Sequence, residues 1–219
     1  MLSFYGRRLV KGTKESDLRS LFKSPFFLTE KDFEEFLKSS FFLKKKRNLE
    51  IGFGTGENVI YQSLKFKNEI FLACDPFLTG SIKLLRKIEE MNIKNIYISD
   101  LDFSSLHQKV SNFAFKNIFI LFPDPWHKRR HFKRKLINQS FIKKIKLICD
   151  NNTSVVIATD NMIYQDIIRE SFKKDKHFEK LVEKINNRFL GIVDVVETKY
   201  YKKALKNNNE SIFFVFNKK

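Results

Sequence analysis

Five apolar runs along the chain each end at or near a carboxylate. NLEIGF carries Glu50, NEIFLACD ends on Asp75, KNIYISD ends on Asp100, KNIFILFPDP reaches Asp124, and TSVVIATD ends on Asp160. Runs of this kind read as strands buried on both faces, and in open sheets ligands bind outside the carboxyl ends of the strands. Five acids on one rim point to a ligand that carries positive charge or has hydroxyl and amino hydrogens to donate. Gly52-Phe53-Gly54-Thr55-Gly56 follows the first run directly. Its glycines let a ligand approach the backbone closely. The spacing is G-x-G-x-G. A dinucleotide fingerprint would place its third glycine at position 57, which is Glu57, so a nicotinamide cofactor with its pyrophosphate is disfavoured.

Each acid has a chemical role available to it. An acid where Asp75 stands accepts hydrogen bonds from both hydroxyls of a ribose. Asp100, or Asp102 just after it, is placed to meet an adenine amino group. Glu50 either orients the glycine loop or meets a cationic ligand group. Together these describe a site for a nucleoside without phosphates. S-adenosylmethionine fits, because its sulfonium and ammonium favour carboxylates over phosphate-binding amides. No metal-ligand spacing is present in the chain.

The fourth run leads into Phe122-Pro123-Asp124-Pro125-Trp126. Two prolines limit the positions open to the Asp124 carboxylate, and Trp126 offers a face for a base. The next nine residues, His127 to Lys135, include six lysines or arginines, and no acid lies between Asp124 and Asp150. A like-charge block beside a rim carboxylate predicts a phosphate-binding surface. This clustering gives meaning to the whole-chain balance of 42 basic against 25 acidic residues, net +17.

These residues need elements to hold them. From Arg47 the chain alternates strand and helix, which predicts an α/β fold: a mostly parallel sheet with helices on both faces. KRKLINQSFIKKIKLI predicts one amphipathic helix, with Ile137, Phe141, Ile145 and Ile148 on one face. SIFFVFN predicts an antiparallel C-terminal edge. Thr29 followed by acids predicts a helix start near Lys31. Residues 1–24 read as a basic arm and 25–219 as a single domain. The chain of 219 residues has no apolar run long enough to span a membrane and no apolar segment near Met1 that reads as a signal peptide. Its two cysteines, Cys74 and Cys149, lie in apolar runs and read as buried thiols of a reducing cytoplasm.

LEIGFGTG, FPDPWHKRRHFKRK, ATD at 158–160 and TKY at 198–200 occur in the order seen in the bacterial tRNA (guanine-N7)-methyltransferase family, which the chain resembles from about Leu49 to Tyr200. The resemblance implies a Rossmann-like class I methyltransferase fold, S-adenosylmethionine as cofactor and tRNA as substrate. The methyl acceptor would be N7 of the variable-loop guanine at tRNA position 46. It further implies that Glu50, Asp75, Asp100 and Asp124 contact the cofactor with the glycine loop (Gly52, Gly54, Gly56), and that Asp124 is also the catalytic residue. Lys128, Asp160 and the segment Thr198, Lys199, Tyr200, Tyr201 would contact the substrate, and Arg130, His131, Phe132, Lys133, Arg134 and Lys135 the RNA. Bacterial members need no second protein subunit, which leaves a monomer or homodimer.

Guanine N7 carries an exposed lone pair, so no general base is required. The motifs offer no histidine–acid dyad or cysteine nucleophile, in keeping with that chemistry. Two departures stand out. The family usually has an acid where this chain has Tyr201, and more often a glutamate where it has Asp75. Three rivals are a nucleic-acid amino-methyltransferase, whose Asp/Asn-Pro-Pro-aromatic motif has adjacent prolines, a non-catalytic basic RNA-binding protein, and the nicotinamide oxidoreductase disfavoured by Glu57.

Overall fold

The computed structural model describes residues 8–126 and 129–219; the side chains of Arg129, Phe132 and Lys133 lie outside that description. The chain divides into two compact units, one reaching to Val110 and the other spanning Ser111–Lys219.

The first unit contains α1 (Glu15–Lys23), α2 (Glu30–Lys38), α3 (Ser40–Lys44), β1 (Arg47–Ile51), α4 (Glu57–Lys65), β2 (Ile70–Cys74), α5 (Leu78–Glu90), β3 (Ile96–Ser99) and α6 (Phe103–Val110). Its strands run parallel in the order β3-β2-β1, with Glu50 paired to Ala73 and Ala73 to Ile98. Every residue of β2 is buried, as a strand covered on both faces requires. Phe27 pairs with Ile98 at the outer side of β3, closing an edge that would otherwise be open. Leu21 of α1 joins Phe27, Phe53, Val59, Leu84, Ile88 and Ile98 in one core. Full burial of each such side chain contributes about 1.5–3 kcal/mol.

Helix α2 starts where the sequence places it. Thr29 accepts from the Asp32 backbone and Asp32 reaches back to Thr29, a reciprocal capping box. From Arg8 onward the basic arm is held against the first unit. Its second half is α1, whose Asp17 pairs with Arg86 of α5 at 2.7 Å.

The second unit contains β4 (Phe115–Leu121), a 3-10 turn at Arg129–Arg134, α7 (Gln139–Leu147), β5 (Cys149–Thr159), α8 (Met162–Lys173), β6 (Phe178–Ile185), α9 (Lys199–Lys206) and β7 (Ile212–Lys218). β4 and β5 are parallel, β7 is antiparallel to β5, and β6 is antiparallel to β7. The C-terminal run is therefore antiparallel, as expected, but it is not the edge. β6 lies outside it. FEKLVEKI mixes apolar with charged residues, and only Phe178 of its eight residues is buried, so no apolar run announces it.

The helix expected over 133–148 is also shorter. Asn138 caps α7 by accepting from the Phe141 backbone at 3.0 Å, and the Ile137 backbone donates to the Tyr164 hydroxyl at 3.0 Å. The residues before Asn138 are committed to those contacts and form the tighter turn instead.

Candidate functional site

In the first unit, β1 ends in a loop whose Gly52, Gly54 and Gly56 all have positive φ, at 76°, 59° and 82°. Gly56 is the left-handed residue that opens α4. A Cβ there would meet Leu84 Cδ1 at 2.6 Å. Asp75 Oδ2 accepts from the Gly54 backbone at 2.8 Å, and its Oδ1 accepts from Phe77 at 2.9 Å. Asp75 thus shapes the loop.

Glu50 is 4% exposed. Its Oε2 accepts from Asn58 Nδ2 at 3.1 Å, and Asn58 is held in turn by Gln62 at 3.3 Å. Burial pushes the Glu50 carboxyl up to about 8; the Asn58 hydrogen bond opposes this and the charges of Glu57 and Asp75 add to it. A buried acid in that state suits a cationic ligand group, which would restore its charge.

Asp100 and Asp102 have different partners in the structure. Asp102 Oδ1 accepts from the Ser105 backbone at 2.9 Å and its carbonyl from Leu106 at 2.9 Å, so it starts α6. Asp100 has no such duty. Its Oδ2 accepts from Arg8 Nη2 at 2.6 Å. Thr79 of α5 accepts from the Val10 backbone at 3.0 Å and lies 3.1 Å from the Thr13 hydroxyl. The arm therefore runs from the start of α5 to the acid at the end of β3.

Gly80 escaped the sequence reading because it sits inside a helix. A Cβ there would stand 1.9 Å from the Gly54 carbonyl oxygen. Only its close packing on the loop marks it, and that packing is invisible in a single chain of letters.

In the second unit, Asp124 is exposed at the end of β4. The surrounding protein still removes enough water to push its carboxyl up. Two bulky residues, Phe122 and Trp126, flank it with φ of 54° and 44°. Positive φ at a bulky residue is strained, and such strain persists only where packing enforces it. Here the Phe122 backbone donates to Ala158 O at 2.7 Å. Its ring packs on Tyr201 at 6.1 Å and edge-on to Phe213 at 6.2 Å. Trp126 meets His131 edge-on at 5.7 Å and carries the Arg134 guanidinium 5.1 Å from its ring centre. The basic segment folds back on the tryptophan.

His127 and Lys128 lie outside the described residues. Arg130 is exposed. Lys135 departs from expectation: it is 5% exposed, its ammonium lies 5.2 Å from the Tyr164 ring centre, and desolvation lowers its pKa. The lysine faces the aromatic interior of this unit, so it packs and does not face RNA.

Asp160 Oδ2 accepts from Asn209 Nδ2 at 3.1 Å. Thr198 is buried and caps α9, accepting from the Tyr201 backbone at 3.2 Å. Lys199 and Tyr200 are exposed. Tyr201 is 4% exposed, and its hydroxyl donates to the Asn186 carbonyl at 2.8 Å. The structure thus gives Tyr201 a packing duty beneath Phe122. Among the described residues, no group of histidine, cysteine and acid side chains is gathered to hold a metal ion.

A family model described as a "Putative methyltransferase" matches residues 44–214. The chain is 36% identical over 171 residues to the tRNA (guanine-N(7)-)-methyltransferase of Wolbachia pipientis wMel, covering 78% of this chain and 74% of that protein. It is 30% identical over 200 residues to the enzyme of the same name from Neorickettsia sennetsu, covering 87% and 88%. Among solved structures, an antibiotic-related methyltransferase aligns at a TM-score of 0.58 and 16% identity, over 88% of this chain and 95% of that one. A Streptococcus mutans protein solved in complex with SAH aligns at 0.54 and 15% identity, over 80% and 89%. At such identities the likeness speaks for the fold, which is the Rossmann-like fold of methyltransferases.

Proposed function

Because the chain belongs to the tRNA (guanine-N(7)-)-methyltransferase family, we infer that it transfers a methyl group from S-adenosylmethionine to N7 of a tRNA guanine, the variable-loop guanine at position 46. The observation that carries this reading is the extent of the match, 30–36% identity over 74–88% of those relatives' length.

The residues of the first unit fit the cofactor. Glu50 is a buried carboxyl whose proton a cationic group would displace, and the Gly54–Gly80 contact leaves backbone where a side chain would stand. Glu50 would hold the ammonium end, Asp75 the ribose and Asp100 the adenine, with Gly52, Gly54 and Gly56 beneath them. When bound, S-adenosylmethionine supplies an electrophilic methyl on a sulfonium.

The chain's own residues would work on the guanine. N7 needs no deprotonation, so the task is alignment at near-attack distance. Asp124 and Asp160 would accept from the N1 and N2 hydrogens, fix the ring, and stabilise the positive charge that develops on it. Lys128 would meet a phosphate or O6. Thr198 supports the substrate segment as the cap of α9, with Lys199 and Tyr200 on its exposed side. Arg130, His131, Lys133 and Arg134 would grip phosphates, with Phe132 a contact of the RNA through its ring. No helix among the described residues is long and apolar enough to cross a membrane. We place the protein in the cytoplasm, acting as a monomer or homodimer without a second kind of subunit.

Incubation with labelled S-adenosylmethionine and unmodified tRNA, followed by nucleoside analysis, tests the reading. Label in 7-methylguanosine is the expected outcome. Label in an N-methylated amino group, or none at all, would overturn it.

A further inference from the structure

Helix α9, KYYKKALK, buries Tyr201 and Ala204 and turns Lys199, Lys202, Lys203 and Lys206 to solvent. At 100° per residue these four positions fall within roughly 100° of arc. Tyr200, 46% exposed, stands beside them. Lys203 and Lys206 lie in the last turn and suit the negative end of the helix dipole, but Lys199 and Lys202 do not share that gain. Lysines in the first turn sit at the positive end of the helix dipole, and lysines three and four apart repel one another. The helix contains no acid to offset them. Among the described residues, Lys202, Lys203 and Lys206 have no carboxylate within ion-pair distance. The nearby acid Glu197 is engaged by Arg188 at 3.1 Å.

The end of the helix is tied to the candidate site. Asn209 donates through its backbone to Ala204 O at 2.9 Å and through its side chain to Asp160 Oδ2 at 3.1 Å. One residue thus links the last turn of the cationic helix to the carboxylate assigned to the guanine.

We propose that the Lys202–Lys203–Lys206 face of α9 binds the sugar–phosphate backbone of the tRNA beside the target guanine, as a second grip separate from the 130–134 segment. Phosphates would relieve the repulsion among the lysines, and Tyr200 would offer its ring to a neighbouring base or ribose. The proposal rests on the reading of tRNA as substrate.

The test is tRNA binding against salt concentration for wild type and for Lys202→Ala/Lys203→Ala/Lys206→Ala. Each phosphate contact contributes about 0.7–0.9 to the slope of log affinity against log salt, so the triple variant should lose a slope of about 2. Its affinity should fall at least tenfold at moderate salt, with cofactor affinity by calorimetry unchanged and melting temperature not lowered. Lys206→Gln alone should lose one contact's share and serves if the triple variant folds poorly. An unchanged slope in an enzyme that still makes 7-methylguanosine would overturn this proposal alone. A wild type that neither binds nor methylates tRNA would overturn the functional reading beneath it.

Discussion

A Cβ on Gly80 would stand 1.9 Å from the carbonyl oxygen of Gly54. Helix α5 and the glycine loop are in backbone contact, and the first α-helical turns of α5 set where the loop lies. Gly80→Ala cannot be absorbed by a flexible side chain, since the obstructing atom is backbone. The loop must move, at a cost of about 1–3 kcal/mol typical of overpacking. The expected outcome is a lower melting temperature and at least a tenfold loss of S-adenosylmethionine affinity by calorimetry. Wild-type affinity in this variant would show that the loop does not shape the cofactor site.

Glu50 makes cofactor binding and stability depend on pH in opposite directions. Its folded value of about 8 lies above the ordinary 4.5, so the folded protein holds the proton more tightly than the unfolded chain. That contribution to stability is complete below about pH 4.5 and is lost as pH rises through about 8. Without cofactor, melting temperature should decline across this window, and Glu50→Gln should flatten the decline. A cationic ligand group favours the ionised form, so wild-type binding at pH 7 should release a proton. Calorimetry in buffers of different ionisation enthalpy reads that release directly. Glu50→Gln should bind more weakly and release none.

Much of this site was legible in the chain because its acids end apolar runs. Glu50, Asp75 and Asp100 are positioned by strand termini, and a parallel sheet places such residues on one rim whatever its details. What escaped depended on three-dimensional neighbours. Gly80 is one helical residue among many until the Gly54 carbonyl lies against it. Lys135 belongs to a basic block and yet turns inward, because Asn138 starts α7 late and the segment before it packs on Tyr164. β6 has no apolar run and only its first residue is buried, so its place outside β7 is set by pairing and not by burial pattern.

Tyr201 stands where the family usually has an acid, yet here the position is enclosed. Its hydroxyl satisfies the Asn186 carbonyl and its ring supports Phe122. Restoring the family's acid by Tyr201→Glu would bury a carboxylate near an Arg188 that Glu197 already engages, and remove the ring. We expect destabilisation of about 3 kcal/mol or more, the range for an uncompensated buried charge, seen in chemical denaturation. Activity should fall with it. Tyr201→Phe removes only the hydroxyl and should cost about 0.5–1.5 kcal/mol, a single hydrogen bond's net share, because Asn186 is exposed and water can take the hydroxyl's place. A Glu variant as stable as wild type and more active would mean that this position faces the substrate.

Asp124 is held between two strained residues, Phe122 and Trp126, and this expense of backbone conformation is hard to explain for an ordinary surface carboxylate. Asp124→Asn keeps the size of the side chain and removes the charge. If the carboxylate stabilises positive charge arriving on the guanine, kcat should fall about 10²–10³-fold at saturating tRNA and S-adenosylmethionine. The salt slope of tRNA binding should stay as in wild type, because no phosphate contact is lost. Desolvation by the surrounding protein raises the Asp124 pKa from its ordinary value, and the ionised form is the one that works. Wild-type kcat/KM should therefore decline on the acid side at a higher pH than an ordinary aspartate would give, and the limb should vanish in Asp124→Asn. Full turnover in the Asn variant would remove Asp124 from the chemistry and leave it at most a role in binding.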